Sequence, residues 1–234
     1  MREIVFDTET TGLDPSTGDR LVEIGCIELV NRFPTGNTFH RYLNPERDMP
    51  EPAFKVHGLS IEFLSDKPLF ATIVEDLIEF LGDAPLVAHN AMFDLGFLNA
   101  ELKRAGKELV ARERLVDTLM MARRKHPGGS NKLDDLCARY KVDNSKRTKH
   151  GALLDAELLA EVYIEMTGAR QASLGLASLS AGGERGRSGA VRQRPAPLAS
   201  RLTAEEIERH RAFVGKLGEA AIWNKYLADD KPAG

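Results

Sequence analysis

The chain has 234 residues, of which 42% are hydrophobic and 29% are charged, the balance of a globular protein that can bury a sizeable core. Its formal net charge of −3 excludes nucleic-acid binding through an overall basic field, so such binding would have to use local patches or metal ions. The two cysteines, Cys26 and Cys137, are too few for a disulfide framework or a four-ligand zinc site. Because the chain shows no apolar run of about 18 residues and no leader, we predict a cytoplasmic protein that does not enter a membrane.

Three strand-like segments open the chain. Residues 4–6 are apolar throughout, and apolar residues alternate over 22–26 on one face of a longer strand. The Pro-Thr-Gly-Asn sequence at 34–37 predicts a turn, after which residues 38–43 read as a third strand.

Helices and strands then alternate as far as Gly168. The predicted elements are a helix through 73–81, a strand at 86–88, a helix over 92–105, a strand at 115–116 and two helices through 133–140 and 158–166. Three strands followed by this alternation predict an α/β domain, residues 1–168, with a mixed sheet flanked by helices.

The composition changes after this domain. Residues 169–200 are rich in Gly, Ser, Ala, Arg and Pro, and they lack the apolar surface that would offset the entropy of ordering them. We therefore predict a flexible basic linker that leads to a short helical C-terminal segment, residues 201–234.

Two carboxylates, Asp7 and Glu9, directly follow the first predicted strand. Residues two apart on an extended chain point to the same side, so both side chains should converge. Adjacent anions repel unless a cation lies between them, and an all-oxygen site suits Mg²⁺ or Mn²⁺. A solvated strand end explains this pair equally well when it is taken alone.

Two further carboxylates and a histidine stand at the starts of predicted helices. Asp94 lies in the first turn after the strand at 86–88, where an anion also has the simpler role of stabilising its helix. Asp155 shares a helix face with apolar residues three, four and seven positions on, so it should point inward, where an unpaired carboxylate is costly and a metal ion is a suitable partner. His150, in the loop before this helix, is a candidate base or an ordinary loop histidine.

These residues, taken together and in chain order, resemble the DEDDh family of 3′→5′ exonucleases. The matching segments are Asp-Thr-Glu-Thr-Thr-Gly at 7–12, His-Asn-Ala-Met-Phe-Asp at 89–94 and His-Gly-Ala-Leu-Leu-Asp-Ala at 150–156. The resemblance extends over nearly the whole chain to the proofreading type that accompanies a bacterial replicative polymerase. It implies a ribonuclease-H-like fold, two catalytic divalent ions, Mg²⁺ or Mn²⁺, and the single-stranded 3′ end of DNA as substrate.

The resemblance also implies roles for individual residues. Asp7, Glu9 and Asp155 would bind metal, Asp94 would support the second metal, and His150 would be the general base. The residues that we expect against the substrate are Asp7, Glu9, Thr10, Leu13, His57, Phe93 and Asp155.

Two segments of the tail predict partner binding. Gln171, Leu174 and Leu176 resemble the short peptides with which bacterial replication proteins bind the sliding clamp, although such patterns are common by chance. Beyond the linker, Thr203 to Glu206 reads as a capping box. The apolar residues that follow at helical spacing, with the tryptophan after them, are Ile207, Val214, Leu217 and Trp223.

A short amphipathic helix is marginally stable alone in water, so this stripe needs a partner surface. In the family the equivalent segment tethers the exonuclease to the polymerase subunit of the replicase; docking on the chain's own domain is the alternative. A small theta-type subunit is a further partner that the resemblance alone implies.

Two other functions fit parts of the sequence. One is a related exoribonuclease of the tRNA-trimming or oligoribonuclease type, and the other is a mainly structural tether between clamp and polymerase. The linker and tail favour the replicase-bound nuclease over a stand-alone enzyme, and the complete acidic set argues against a tether without activity.

Overall fold

The computed structural model describes residues 1–145, 147, 149–169, 202–218 and 222–223. The chain divides into two units, Met1–Leu174 and Gly175–Gly234. In the part that the structure describes, no helix combines the length and apolar character needed to cross a membrane.

A five-stranded mixed sheet forms the centre of the first unit. β1 (Arg2–Thr10), β2 (Leu21–Val30) and β3 (Phe33–Tyr42) are antiparallel neighbours. β4 (Leu86–Ala88) pairs in parallel with β1, and β5 (Leu115–Asp117) pairs in parallel with β4. The resulting order, β3-β2-β1-β4-β5, confirms the predicted mixed sheet.

Among the described residues of the first unit, seven α-helices connect or flank these strands. They are α1 (Glu51–His57), α2 (Ile61–Leu64), α3 (Phe70–Leu81), α4 (Ala91–Arg104), α5 (Thr118–Lys125), α6 (Leu133–Tyr140) and α7 (Ala152–Thr167). The four helices predicted from apolar spacing correspond to α3, α4, α6 and α7, whereas α1, α2 and α5 lack a clear apolar stripe and escaped prediction.

The sheet is covered by helices on both faces. Ile4 and Phe6 of β1 pack in one apolar cluster with α3 and α4, and Val5 packs in a second cluster with α6 and α7. Since side chains alternate along a strand, Asp7 and Glu9 continue the face of Val5 towards α7. Both carboxylates therefore point towards the helical layer that carries Asp155.

The turn between β2 and β3 lies earlier than the sequence suggested, so the prediction of a turn at residues 34–37 is wrong. Asn31 and Arg32 form a two-residue turn, with φ of 52° and 67°, between the paired residues Val30 and Phe33. Two positive φ values match the right-handed twist of paired strands. Residues 35–37 instead stand opposite Glu28 in a bulge, and Thr35 and Asn37 donate hydrogen bonds to its carboxylate at 2.7 and 2.8 Å.

The close packing of α7 against the sheet depends on Gly25 of β2. This glycine pairs in register with Asp7, and a Cβ added to it would lie 2.3 Å from the backbone nitrogen of Leu153. The first turn of α7 can therefore rest directly on β2, which brings Asp155 beside β1.

The second unit has one described helix, α8 (Ala204–Lys216). The Thr203 hydroxyl accepts from the Glu206 amide, and the Glu206 carboxylate accepts from the Thr203 amide at 2.8 Å. The predicted capping box is confirmed. The rings of His210 and Trp223 meet edge to face, with centroids 5.6 Å apart.

Gly25→Ala should destabilise the protein by about 1–3 kcal/mol, because the methyl group overlaps backbone that cannot move without displacing α7. Urea unfolding measures the change. Gly96→Ala in α4 is the matched control: its Cβ would meet only Pro15 at 4.0 Å, so we expect stability to stay unchanged or to rise by up to about 1 kcal/mol. Equal unfolding midpoints for the two variants would contradict this role of Gly25.

Candidate active site

The residues predicted from the sequence as site residues line one cleft of about 910 Å³. Its floor is the end of β1, and its sides come from the first turns of α4 and α7 and from the loop before α7. The predicted site residues that line it are Asp7, Glu9, Thr10, Leu13, His57, Phe93, Asp94, His150 and Asp155. Segments that are far apart in sequence therefore converge on a single site.

The two β1 carboxylates repel each other and their neighbours. Burial raises the pKa of Asp7 well above its usual value, and the charges of Asp94, Glu9 and Asp155 raise it further. Burial, followed by the charges of Asp155 and Glu23, raises the pKa of Glu9 to about 8. Glu23 is buried directly opposite Glu9 on β2, so the cluster extends across two strands.

Asp94 reaches the cluster from the other face of the sheet. It lies in the first turn of α4, is buried, and accepts a hydrogen bond of 2.7 Å from the hydroxyl of Thr8. Burial raises the pKa of Asp94 to about 7, although the bond from Thr8 opposes this change. The hydrogen bond from Thr8 thus fixes the position of the Asp94 carboxylate beside β1.

Asp155 is paired with an arginine. Arg147 donates to both of its oxygens, from Nε to Oδ1 at 2.6 Å and from Nη2 to Oδ2 at 2.7 Å, and also binds Asp134 at 2.6 Å. Burial raises the pKa of Asp155, but the bonds from His150 and Arg147 outweigh burial and hold it below its usual value.

Sequence reasoning missed Arg147, and the available signal was its place in the basic loop three residues before His150. Its side chain is only 8% exposed, which is unusual for an arginine outside an ion-pair network. The arginine neutralises part of the cluster and holds the loop against α7.

His150 stands at the mouth of the cleft with its side chain 48% exposed. Its Nδ1 lies 2.7 Å from Nη2 of Arg147 and 3.1 Å from Oδ2 of Asp155. The ring can accept from the arginine or donate to the carboxylate according to its tautomer. The ring's Nε2 lies 3.4 Å from the same Nη2, so Arg147 approaches both ring nitrogens.

His57 lines the cleft, and a hydrogen bond to the backbone fixes the orientation of its ring. Its Nδ1 accepts from the backbone amide of Leu59 at 3.0 Å, which puts the proton of the neutral ring on Nε2. That Nε2 is buried and has no hydrogen-bond partner among the residues the structure describes. Burial lowers the pKa of His57, so the ring favours its neutral form.

The remaining predicted contacts form one wall. Leu13 is 85% exposed at the rim, and Phe93 lies beside the cleft on α4. Thr10 donates its hydroxyl to the carbonyl of Gly12 at 2.7 Å, so it shapes the loop that carries Leu13. The apolar residues that continue this lining are Pro50, Pro52, Ala53 and Val56.

The donor set fits a divalent metal ion. One ligand atom each from Glu9, His150 and Asp155 lie within 4.8 Å of one another, and Asp7 and Asp94 add carboxylates at the same floor. Hard oxygen ligands of this kind suit Mg²⁺ and Mn²⁺. Burial and then the charges of Asp155, Glu23 and Asp94 raise the pKa of Glu9, and a bound cation would oppose both effects.

Comparisons with known proteins agree with this geometry. The family model for exonucleases matches residues 4–163. The DNA polymerase III subunit epsilon of Rickettsia felis is 50% identical over 226 residues, which cover 94% of this chain and 99% of that protein. The subunit of the same name from Escherichia coli K12 is 44% identical over 237 residues, covering 95% of this chain and 97% of that protein.

Solved structures show the same fold. Exonuclease X in complex with 5′-overhanging duplex DNA aligns over 70% of this chain and 90% of its own, with a TM-score of 0.54 and 25% identity. The nuclease domain of 3′hExo, a DEDDh family member bound to rAMP, aligns over 71% of this chain and 92% of its own, with a TM-score of 0.59 and 16% identity.

The fold and the acidic cleft define a metal-dependent 3′→5′ exonuclease. Within that class, the chain belongs to the family of DNA polymerase III epsilon subunits, the proofreading exonucleases of bacterial replicases.

The raised pKa of Glu9 predicts how stability depends on pH in the presence of EDTA. A carboxyl with a higher pKa in the folded state binds more protons when folded, so its contribution is full below about pH 4.5 and is lost as the pH rises through about 8. Urea unfolding between pH 5 and 8.5 should therefore show declining stability, and Glu9→Gln should reduce the decline.

Glu28→Gln is the control for this measurement. Hydrogen bonds from Arg2, Thr35 and Asn37 lower the pKa of Glu28 to about 2, so it is ionised in both states over this pH range. The control should keep the wild-type slope. An unchanged slope in Glu9→Gln would show that Glu9 does not titrate in the cluster.

Proposed function

We propose that the cleft hydrolyses the last phosphodiester bond at the single-stranded 3′ end of DNA with two divalent ions. Asp7, Glu9 and Asp155 would hold metal, Asp94 would support the second ion, and His150 would act as general base. The observation that carries this division of roles is the convergence of four carboxylates and one half-exposed histidine in one cleft.

Divalent ions held by Asp7, Glu9 and Asp155, with support from Asp94, would lower the pKa of water and would stabilise negative charge on the leaving 3′ oxygen. The protein residues prepare the site for this chemistry. Thr8 and Arg147 fix the carboxylates of Asp94 and Asp155 by hydrogen bonds, so that few side-chain rotations have to be frozen on binding. Arg147 also supplies a positive charge near the scissile phosphate.

His150 takes the proton from the attacking water. Arg147 and Asp155 hold the ring at the mouth of the cleft, and its side chain is 48% exposed, so a water molecule can approach it. The loop position lets the ring exchange its proton with solvent after each turnover.

The terminal nucleotide lies against the apolar wall. Leu13, Phe93 and Val56 offer surface for stacking and packing, which tolerates every base because each has an apolar face. His57 lines the cleft beside this wall and is placed against the same nucleotide. Preference for mispaired ends then follows from the lower cost of unpairing them, without base-specific contacts.

His150→Gln should lower kcat by roughly 10²–10⁴-fold, the range for a positioned general base, and should leave Mn²⁺ affinity close to the wild-type value. Hydrolysis of a labelled oligonucleotide and calorimetric Mn²⁺ titration measure the two effects. Asp7→Asn should abolish hydrolysis and weaken Mn²⁺ binding.

His210→Gln, in the second unit, is the control and should change neither quantity. A collapse of Mn²⁺ affinity in His150→Gln would make His150 a metal ligand rather than the base.

The C-terminal segment, residues 201–234, is proposed to bind the polymerase (alpha) subunit of DNA polymerase III. Support comes from α8 and the residues after it: Val214 is buried, whereas Phe213 on the helix and Leu217 and Trp223 beyond its end are exposed. Exposed large apolar groups of this kind are typical of a protein-binding surface. A theta-type subunit rests on the family resemblance alone.

The sliding-clamp motif remains a proposal from sequence, because Gln171, Leu174 and Leu176 lie outside the described residues. The same holds for the linker at 169–200, which would join the exonuclease domain, residues 1–168, to the polymerase-binding segment.

Deleting residues 201–234 should release the polymerase subunit and leave hydrolysis of free single-stranded DNA unchanged, because the site residues all precede Gly168. Changing Gln171, Leu174 and Leu176 together to Ala should weaken clamp binding alone. Pull-downs with purified polymerase subunit and clamp test both variants. Polymerase binding by the truncated chain would refute the assignment of the tail.

A further inference from the structure

A second cavity, of about 510 Å³, opens beside the catalytic cleft. It lies between the end of α5 and the start of α6, and the loop between these helices forms its rim. His89 and Lys132 line both the cavity and the cleft. The two spaces are therefore neighbours that share a wall, and an extended ligand could continue from one into the other.

The charge of the second cavity is opposite to that of the cleft. Six acidic side chains line the cleft, whereas the cavity is lined by Arg123 and Lys132 and by no acidic side chain. Both basic side chains are exposed, and neither forms an ion pair among the residues the structure describes. Their charges are available to an anion that enters from solvent.

The rim of the cavity is held in place by its own hydrogen bonds. Asn131 is buried and donates to the carbonyls of His126 and Gly129 at 3.3 and 2.9 Å. Arg139 in turn donates to the Asn131 side chain at 3.3 Å. Gly128, with φ of 78°, adopts a backbone conformation that side chains disfavour and leaves the rim open to a close approach. A fixed rim of this kind lowers the entropy cost of binding.

We propose that this cavity is a phosphate-binding subsite for the nucleotides that precede the 3′ terminus of a single-stranded DNA substrate. The proposal rests on the function proposed above, because it needs the terminal nucleotide in the cleft. The cleft's apolar wall, with Val56 and Pro52, suits a base, and its acidic floor suits the metal-bound scissile phosphate. Arg123 and Lys132 provide the positive charge that the following phosphates require.

The test compares substrates with and without upstream phosphates. Arg123→Gln should raise KM for a decathymidylate on the order of tenfold, as expected for the loss of one charged hydrogen bond, with kcat changed little. The p-nitrophenyl ester of thymidine 5′-monophosphate has no upstream nucleotide, so its KM and kcat should stay within about twofold of wild type. Retained ester hydrolysis also shows that the variant is folded.

Salt dependence gives an independent readout. Each phosphate contact of a single strand contributes about 0.7 to the slope of log affinity against log salt concentration. Arg123→Gln should reduce the slope for the decathymidylate by about that amount, and adding Lys132→Gln should reduce it again. Arg124→Gln is the matched control, since Arg124 is exposed next to Arg123 on α5 but does not line the cavity.

Equal KM values and equal salt slopes for Arg123→Gln and Arg124→Gln would overturn the subsite while leaving the nuclease function intact. Failure of the wild-type protein to degrade the decathymidylate with Mg²⁺ or Mn²⁺ would overturn the proposed function itself, and the subsite with it. A raised KM for the ester in Arg123→Gln would also contradict the proposal, because it would place the arginine in the terminal-nucleotide site.

Discussion

Four carboxylates share the floor of one cleft, and their mutual repulsion is the constraint on which the surrounding structure depends. Asp94, Glu9 and Asp155 are buried, and burial together with neighbouring charge raises the pKa of Glu9 to about 8. Asp155 has a counter-charge in Arg147, whose guanidinium donates to both of its oxygens. The fold has to hold this unfavourable arrangement together while leaving room for cations between the carboxylates.

Three features of the fold meet that requirement. The alternation of β1 points Asp7 and Glu9 to one face of the sheet and Thr8 to the other, where Thr8 anchors Asp94. Gly25 lets α7 pack directly against the sheet, which places Asp155 beside β1. Two apolar clusters, one on each face of the sheet, stabilise the elements that carry the acids. The stability of these clusters offsets the repulsion at the strand end.

Much of this could be predicted because it depends on local periodicity. The spacing of Asp7 and Glu9 on a strand, and of Asp155 on a helix face, already indicates where each side chain points. Contacts between segments that are far apart in sequence could not be predicted in this way. The two-residue turn at Asn31 and Arg32 depends on backbone angles that their side chains scarcely signal, and the pairing of Arg147 with Asp155 depends on how the loop folds back.

In the proposed function, the cleft and the cavity beside it bind different chemical parts of a nucleic-acid strand. An apolar wall suits the base, an acidic floor suits metal ions, and the neighbouring basic rim suits phosphates. Local groups of this kind would allow a chain with a net charge of only −3 to bind a polyanion. Recognition of the backbone without contacts to base edges also suits an enzyme that has to remove any nucleotide.

The central claim is that the carboxylate cluster holds protons that metal ions must displace. Calorimetric titration of Mn²⁺ into the wild-type protein, repeated at pH 7 in buffers of different ionisation enthalpy, measures the protons released. Because the pKa values of Glu9 and Asp94 are raised to about 8 and about 7, the account predicts release of about one proton or more per protein at pH 7 and a smaller release at pH 9. Tight Mn²⁺ binding at pH 7 without proton release would contradict it.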